Sequence, residues 1–418
     1  MKKVGIVNLG CARNLVDSQA IAQQYCRRGY HLVDVEEADI AIVNTCGFIE
    51  EAKKESIDAI LDLLERKKQG YLKEVVIAGC LAERYRRELR EEFQEADQVL
   101  GVQKLQQDAG PQEISFTPSH YAYLKICESC YNQCAFCVIP RIKGKFVSRT
   151  KESIWREAEA LDRRGVKEIN IIGQDITAYG MDLYRQKALA ELLKELTPRL
   201  RQVQWVRLLY AFPAHVTDDL IEVMASEPKI CSYIDIPLQH INDGILRRMN
   251  RNITRKETEA LVNKFRKAMP SAVLRTTFVV GLPGETDKDF EELVDFVRNA
   301  RFEKVGVFVY SPEEGTPAYA MPGQVPSEIK QQRYETLMAV QREVSARVMA
   351  DFLGRTVRVL VDEVANAGER IYSGRTEYDA PEVDGVVYVH AQQTLRPGEF
   401  VDVRVTDTCE YDLIGDEV

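Results

Sequence analysis

Six of the chain's ten cysteines stand where thiolates can do chemistry. Three of them form the run Cys130-Tyr131-Asn132-Gln133-Cys134-Ala135-Phe136-Cys137. Three thiolates packed this closely can wrap one face of a cube-shaped iron–sulfur cluster. Three ligands leave the fourth iron open. An open iron can chelate the amino and carboxylate groups of S-adenosylmethionine, and an electron from the cluster then cleaves the sulfonium. Phe136, between the last two thiols, is placed to pack on adenine. A competing reading adds Cys127 and makes a four-cysteine zinc site, Cys127-x2-Cys130-x3-Cys134-x2-Cys137. Zinc sites built from two such pairs carry a longer spacer, so that two knuckles can face one metal. Cys127 also ends an apolar stretch, as buried structural cysteines do.

The other three are Cys11, Cys46 and Cys80, which lie 35 and 34 residues apart. Each follows an apolar segment that reads as a strand: Val7-Asn8-Leu9-Gly10 before Cys11, Val43-Asn44-Thr45 before Cys46, Ile77-Ala78-Gly79 before Cys80. Parallel strands present their C-terminal ends along one edge, where open sheets bind ligands. If the three strands are neighbours, the three thiols converge. Gly10, Gly47 and Gly79 let the backbone approach a bulky ligand closely. The bland alternative is three buried cysteines scattered through an ordinary sheet. Identical placement in three successive units argues against it, and three ligands again leave an iron open to an outside sulfur. Cys26, Cys231 and Cys409 read as packing or surface residues. The five histidines show no paired spacing, so no histidine metal site is expected.

The elements that must position these residues alternate between strand and helix. Strands are expected at 4–9, 38–44 and 74–78, with helices at 17–28 and 50–68, which is the pattern of a parallel α/β sheet. Residues 101–119 lose periodicity and carry Gly110, Pro111 and Pro118, which reads as a linker. Six further strands follow at 121–126, 167–172, 203–209, 232–236, 273–280 and 304–309. Helices at 151–165, 187–197, 216–226, 255–268 and 286–300 lie between them. That repeat predicts a partial, TIM-like (βα)6 barrel. The Cys130 triplet follows its first strand, on the face where barrels place their sites. Gly173, Gln174 and Asp175 after the second strand share that face, as do Gln239 and His240 after the fourth and Gly281 to Gly284 after the fifth. Of these, Gly173 and Gln174 are the candidates for cofactor contact. Arg141, Lys143, Lys145 and Arg149 make a basic run, read either as a carboxylate-binding group or as a solvated loop. A long helix from an N-cap at Ser327 to about Phe352 closes this unit. The remainder, with β segments at 357–361, 385–389 and 400–405, predicts a small all-β barrel. The expected domains are 1–110, 120–350 and 352–418.

Composition is that of an ordinary globular protein, 45% hydrophobic and 29% charged. No signal peptide and no membrane span is legible, so a cytoplasmic location, with thiols reduced and free to bind metal, is expected. Of the net charge of −9, −8 falls between Phe352 and Val418. An acidic terminal unit suits a basic partner better than a phosphate backbone.

Taken in order, the Cys11/Cys46/Cys80 unit, the Cys130/Cys134/Cys137 barrel and the terminal β unit resemble the methylthiotransferases of the radical S-adenosylmethionine superfamily, whose last domain is of the TRAM type. The resemblance covers the whole chain. It implies two 4Fe-4S clusters, held by the two cysteine trios, and S-adenosylmethionine as source of both a 5′-deoxyadenosyl radical and a methyl group. Several stretches resemble the RimO-type branch: Asn14 to Ser18, Cys46 to Ile49 with Glu55-Ser56, Gln174 to Thr177, Asp379 to Gly385 and Glu410 to Gly415. That branch implies methylthiolation of an aspartate β-carbon in the twelfth small-subunit ribosomal protein, with an electron donor such as flavodoxin and a sulfur donor as further partners. Ala12-Arg13 departs from the family's Pro-Lys, and Tyr131-Asn132-Gln133 from its more frequent Asn-His-Arg. Neither change removes a thiolate. Two other readings remain: a tRNA adenosine methylthiotransferase of the MiaB type, and a zinc-stabilised protein that binds the ribosome without catalysis.

Overall fold

The computed structural model describes residues 2–102 and 110–418, so 103–109 of the expected linker lie outside the described residues. The N-terminal part is a five-stranded parallel sheet. Its order is His31–Leu32, Lys3–Asn8, Ile40–Thr45, Glu74–Gly79, Gln98–Val99. Ile40–Thr45 is buried at every position, as a central parallel strand covered on both faces must be. The two edge strands have only two residues each, too short to show a pattern in sequence. The three strands that precede Cys11, Cys46 and Cys80 are immediate neighbours. Asn8 pairs with Asn44, and Asn44 with Ala78, so the three strand ends stand level.

The first helix, Ala12–Arg27, starts five residues before the expected Asp17. Its N-cap is Cys11, which offers no side-chain cap bond, so the usual Ser, Thr or Asp start signal is missing. Two short helices after Cys80, Cys80–Arg84 and Arg86–Glu92, were not legible either.

The six expected parallel strands form one sheet in sequential order: Tyr121–Lys125, Glu168–Ile172, Trp205–Leu208, Ile230–Asp235, Val273–Val280 and Lys304–Val309. This is the partial barrel. A short antiparallel pair, Cys127–Glu128 with Val147–Ser148, closes off the loop that carries the cysteine triplet. The long helix runs Ser327–Ala350. Pro326, not Ser327, is its N-cap, and no side chain caps it, because the proline ring carries no acceptor for the first-turn N–H groups.

The C-terminal part is a closed five-stranded barrel, ordered Thr356–Asn366, Ile371–Arg375, Val387–His390, Leu413–Glu417, Phe400–Thr408. The strands Ile371–Arg375 and Leu413–Glu417 were not expected. Ser373-Gly374 and Gly415-Asp416 break their apolar pattern. In both, the glycine is where backbone approaches closest: a Cβ on Gly374 or Gly415 would run into the neighbouring strand's carbonyl, of Leu360 or Arg404.

The segment between the second and third strands of this small barrel reaches into the N-terminal end of the large one. Asp379 pairs with Lys304 at 2.6 Å, Asp384 with Arg275 at 3.3 Å, and Tyr121 and Tyr233 donate to Glu382 and Asp384 at 2.9 and 2.8 Å. Glu168, with no exposed surface, takes Arg207 at 2.8 Å and Arg375 at 2.6 Å. Much of the terminal unit's acidity is therefore spent on the barrel floor. The overall balance of −8 overstates what that unit can offer a partner.

Candidate active site

At the opposite, C-terminal end of the barrel, the N-terminal sheet lies over the barrel mouth. A cavity of about 260 Å³ separates them, and all six cysteines line it: Cys11, Cys46 and Cys80 from one side, Cys130, Cys134 and Cys137 from the other. The two constellations found in the sequence are thus one site.

The first trio is fixed by a polar clamp at the strand ends. Asn14 donates to the carbonyls of Leu9 and Thr45 at 2.9 and 3.1 Å, and Asn44 donates to Asn14's carbonyl and to Ser18 Oγ, both at 2.8 Å. Ser18 in turn donates to Asn8 at 2.8 Å. This accounts for the Asn14 to Ser18 stretch: its helix face ties the ends of two neighbouring strands together just below the thiols, and Asn14 Oδ1 accepts from Cys80 Sγ at 3.6 Å. Cys46 is held by Ser56, which accepts from its N–H at 3.0 Å and donates to its carbonyl at 2.9 Å. Glycine is required beside it. A Cβ on Gly10 (φ +89°) would stand 2.9 Å from Cys46 Cβ and 3.1 Å from its Sγ.

The second trio sits on a loop pinned by backbone bonds. Ala135 donates to the Met249 carbonyl and accepts from the Ala318 N–H, both at 2.8 Å, and Cys137 N–H closes a turn onto the Cys134 carbonyl at 3.0 Å. Asn132 reaches Cys130 Sγ at 3.6 Å and Asp175 at 2.7 Å, and Asp175 also contacts His215 Nδ1 at 2.8 Å. Arg251 lies 3.6 Å from Cys134 Sγ. Cys127 stands apart: it is fully buried and absent from the cavity wall, its sulfur donates to the Asp175 carbonyl at 3.5 Å, and it fills the space that a Cβ on Gly173 would take. That separates it from the other three and removes the basis for a four-cysteine zinc site.

Phe136 and Gln174 line the cavity, and Gln174 is held by Glu128 at 3.0 Å. Gly173 stands behind them, its carbonyl accepting from Arg13 at 3.2 Å. Gln239 lines the cavity, whereas His240 turns away and accepts from the Asn242 N–H at 3.0 Å. Gly281 and Leu282 cap Glu285 with their N–H groups rather than facing the site.

The basic run divides. Arg149 is buried against Glu157 at 2.6 Å, and Arg141 donates to the Gly315 carbonyl. Lys143 reaches Asp17 at 2.7 Å and Glu128 at 3.4 Å. Lys125 joins the same two carboxylates, so two ammoniums and two carboxylates form a closed group whose side chains are 2–6% exposed. Asp17 belongs to the N-terminal helix and the other three to the barrel, so the group fastens one to the other. Sequence reasoning missed it, because its members are separated by up to 126 residues. Glu313 makes a second fastening, to Arg84 at 2.7 Å and Lys53 at 3.2 Å.

Burial pushes the free thiols up, to about 12 for Cys80 and Cys137 and about 11 for Cys130, with Cys46 also raised. Cys11 is the exception. Burial pushes it up too, but the Arg13 guanidinium at 3.4 Å and nearby backbone N–H groups outweigh this and leave it below the usual thiol value. Thiols this costly to ionise alone become thiolates readily when a metal is their counter-charge. Three sulfurs on each side of the cavity, with no carboxylate among the lining residues, suit soft iron–sulfur ligation rather than a hard cation.

Comparison with known proteins agrees with this site. Residues 3–101 match the model of Uncharacterized protein family UPF0004, 124–297 that of the Radical SAM superfamily, and 353–418 that of the TRAM domain. The chain is 44% identical over 441 residues to the ribosomal protein uS12 methylthiotransferase RimO of Thermoanaerobacter sp. (strain X514), with 100% of both chains covered. It is 45% identical, again over 100% of both, to the protein of that name from Caldanaerobacter subterraneus subsp. tengcongensis. The chain belongs to the RimO family of methylthiotransferases. Its fold resembles that of the radical S-adenosylmethionine methyltransferase TsrM from Kitasatospora setae, at a TM-score of 0.53 and 14% identity, over 85% of this chain and 79% of that one. As a radical S-adenosylmethionine enzyme of the RimO family, it works with 4Fe-4S clusters and S-adenosylmethionine.

Proposed function

We propose that Cys130, Cys134 and Cys137 hold the cluster that binds S-adenosylmethionine, and that Cys11, Cys46 and Cys80 hold the cluster that delivers sulfur. The reaction is methylthiolation of ribosomal protein uS12, with a methylthio group replacing hydrogen; we place it on the β-carbon of an aspartate. The observation that carries the assignment is the meeting of both trios on one cavity. When bound, the clusters supply the reducing electron for S-adenosylmethionine and the sulfur for transfer.

The chain's own residues do the rest. Asn132, steadied by Asp175, donates toward Cys130 Sγ and orients that ligand. Phe136 offers an apolar face for adenine, and Gln174, fixed by Glu128, offers polar contacts beside it. Phe48, Ile139, Tyr210, Phe212 and Pro237 make the remaining wall largely apolar, which keeps water from a reactive carbon species. The Lys125, Lys143, Asp17 and Glu128 group holds the sulfur-bearing side over the barrel mouth, so both trios address one substrate atom.

The three-part division at 1–110, 120–350 and 352–418 is supported by the five-stranded sheet, the six-stranded sheet and the closed barrel, which fall one in each part, and by the family matches. Among the described residues no helix is long and apolar enough to cross a membrane. A cytoplasmic site of action follows from a ribosomal substrate, and flavodoxin-type reduction and a separate sulfur donor complete the proposed partners. The test is anaerobic incubation of the reconstituted chain with uS12, S-adenosylmethionine, sulfide and reductant, read by mass spectrometry. A methylthio gain on uS12 is expected. A methylthio-nucleoside in tRNA with uS12 unchanged would overturn the substrate.

A further inference from the structure

Buried guanidinium groups in this molecule are neutralised by carboxylates. Arg84 has Glu313, Arg149 has Glu157, Arg207 and Arg375 share Glu168, and Arg333 has Asp287. Two arginines on the cavity wall break the pattern: Arg251, which is buried, and Arg13, which is half-buried. Among the described residues neither has a carboxylate partner. Arg251 stacks 4.1 Å over the Phe212 ring beside Cys134, and Arg13 stacks 4.3 Å over the Tyr210 ring beside Cys11. Arginine cannot shed its charge, so an uncompensated guanidinium in such a place calls for an anion.

Arg13 spends its Nε on Cys11 at 3.4 Å and one Nη1 hydrogen on the Gly173 carbonyl at 3.2 Å. Among the described residues its remaining N–H donors have no acceptor. The reaction brings two carboxylates into the cavity, that of S-adenosylmethionine and that of the substrate side chain. Arg251, against Cys134, is on the side of the trio assigned to S-adenosylmethionine. Arg13 is on the side from which sulfur is delivered. An aspartate held there by its carboxylate has its β-carbon one bond from the anchor, next to the sulfur-bearing trio.

We propose that Arg13 is the receptor for the side-chain carboxylate of the substrate aspartate, and so sets the specificity for aspartate over asparagine. This rests on the aspartate methylthiolation reading above. Arg13's contact with Cys11 makes a purely ligand-balancing role the competing explanation, so the test reads peptide binding as well as iron.

The reconstituted holoenzyme, without reductant, is titrated with two fluorescent uS12-derived peptides, one with the target aspartate and one with asparagine in its place. A charge-assisted pair predicts that the native chain prefers the aspartate peptide by about 10- to 100-fold. Arg13→Gln should bring that preference close to unity with iron content retained. Arg13→Lys, which keeps the charge but loses the fork, should recover part of it. A full preference in Arg13→Gln, or no preference in the native chain, would overturn the proposal. So would an equal loss of preference in Arg251→Gln, which would indicate the general field of the cavity rather than a contact. If the native chain methylthiolates the aspartate peptide while Arg13 proves indifferent, this inference fails and the functional reading stands. If it neither binds nor modifies that peptide, both fall.

Discussion

Replacing Asp17 by asparagine tests how the two halves of the active site are kept together. Asp17 accepts from both Lys125 and Lys143, and Glu128 is the other anion of the group. Asparagine keeps the size and an acceptor but removes the charge. One carboxylate then faces two ammoniums, leaving one unit of positive charge buried where the side chains are 2–6% exposed. Breaking a buried pair in this way costs about 3–5 kcal/mol, whereas an exposed pair is worth about 1 kcal/mol or less. In equilibrium urea unfolding this should lower the midpoint by on the order of 1 M. Both tryptophans, Trp155 and Trp205, are in the barrel and report the transition. The compensating change is Lys143→Met, which restores neutrality as the single pair Lys125–Glu128. The double variant should recover more than half of the loss. A single-variant cost below about 1 kcal/mol, or a double variant whose cost is the sum of the two singles, would refute the view that this group is a closed charge balance.

Two further outcomes follow from the same geometry. Lys125 and Lys143 overcome the upward push of burial and hold the Glu128 carboxyl down to about 2, against an ordinary 4.5. Between those values the unfolded chain binds more protons than the folded one, so the stabilisation is complete above the ordinary value and is lost as the pH falls toward 2. The melting temperature should drop through that window, with a shallower slope in Glu128→Gln; equal slopes would show that this carboxylate does not contribute. Gly79→Ala should destabilise the N-terminal unit by about 1–2 kcal/mol or more and lower iron content. Its φ of +95° disfavours a side chain, and the added Cβ would stand 2.6 Å from the Thr45 carbonyl and 2.7 Å from its N–H. Normal melting and normal iron content would contradict this.

The chemistry was legible in the sequence because cysteine spacing and strand-end placement are local signals. The six barrel strands and the level ends before Cys11, Cys46 and Cys80 follow from apolar runs that parallel sheets require. What was not legible depends on distant partners. Nothing near Asp17 in sequence announces Lys125 or Lys143, and nothing near Arg13 announces the Tyr210 ring. The terminal unit shows the limit of composition: counting its acids gave their number, but only the fold shows that Asp379, Glu382 and Asp384 are turned onto the barrel floor. The substrate class therefore rests on the relatives and the site, with the charge balance as a weaker companion.

The most direct test of the central claim is the iron count of anaerobically reconstituted chains. The native chain should carry about eight irons, as two cubane clusters require. The triple variant Cys11→Ala/Cys46→Ala/Cys80→Ala and the triple variant Cys130→Ala/Cys134→Ala/Cys137→Ala should each carry about four. Retention of about eight irons in either variant, or bound zinc without iron in the native chain, would contradict two separate clusters facing one cavity.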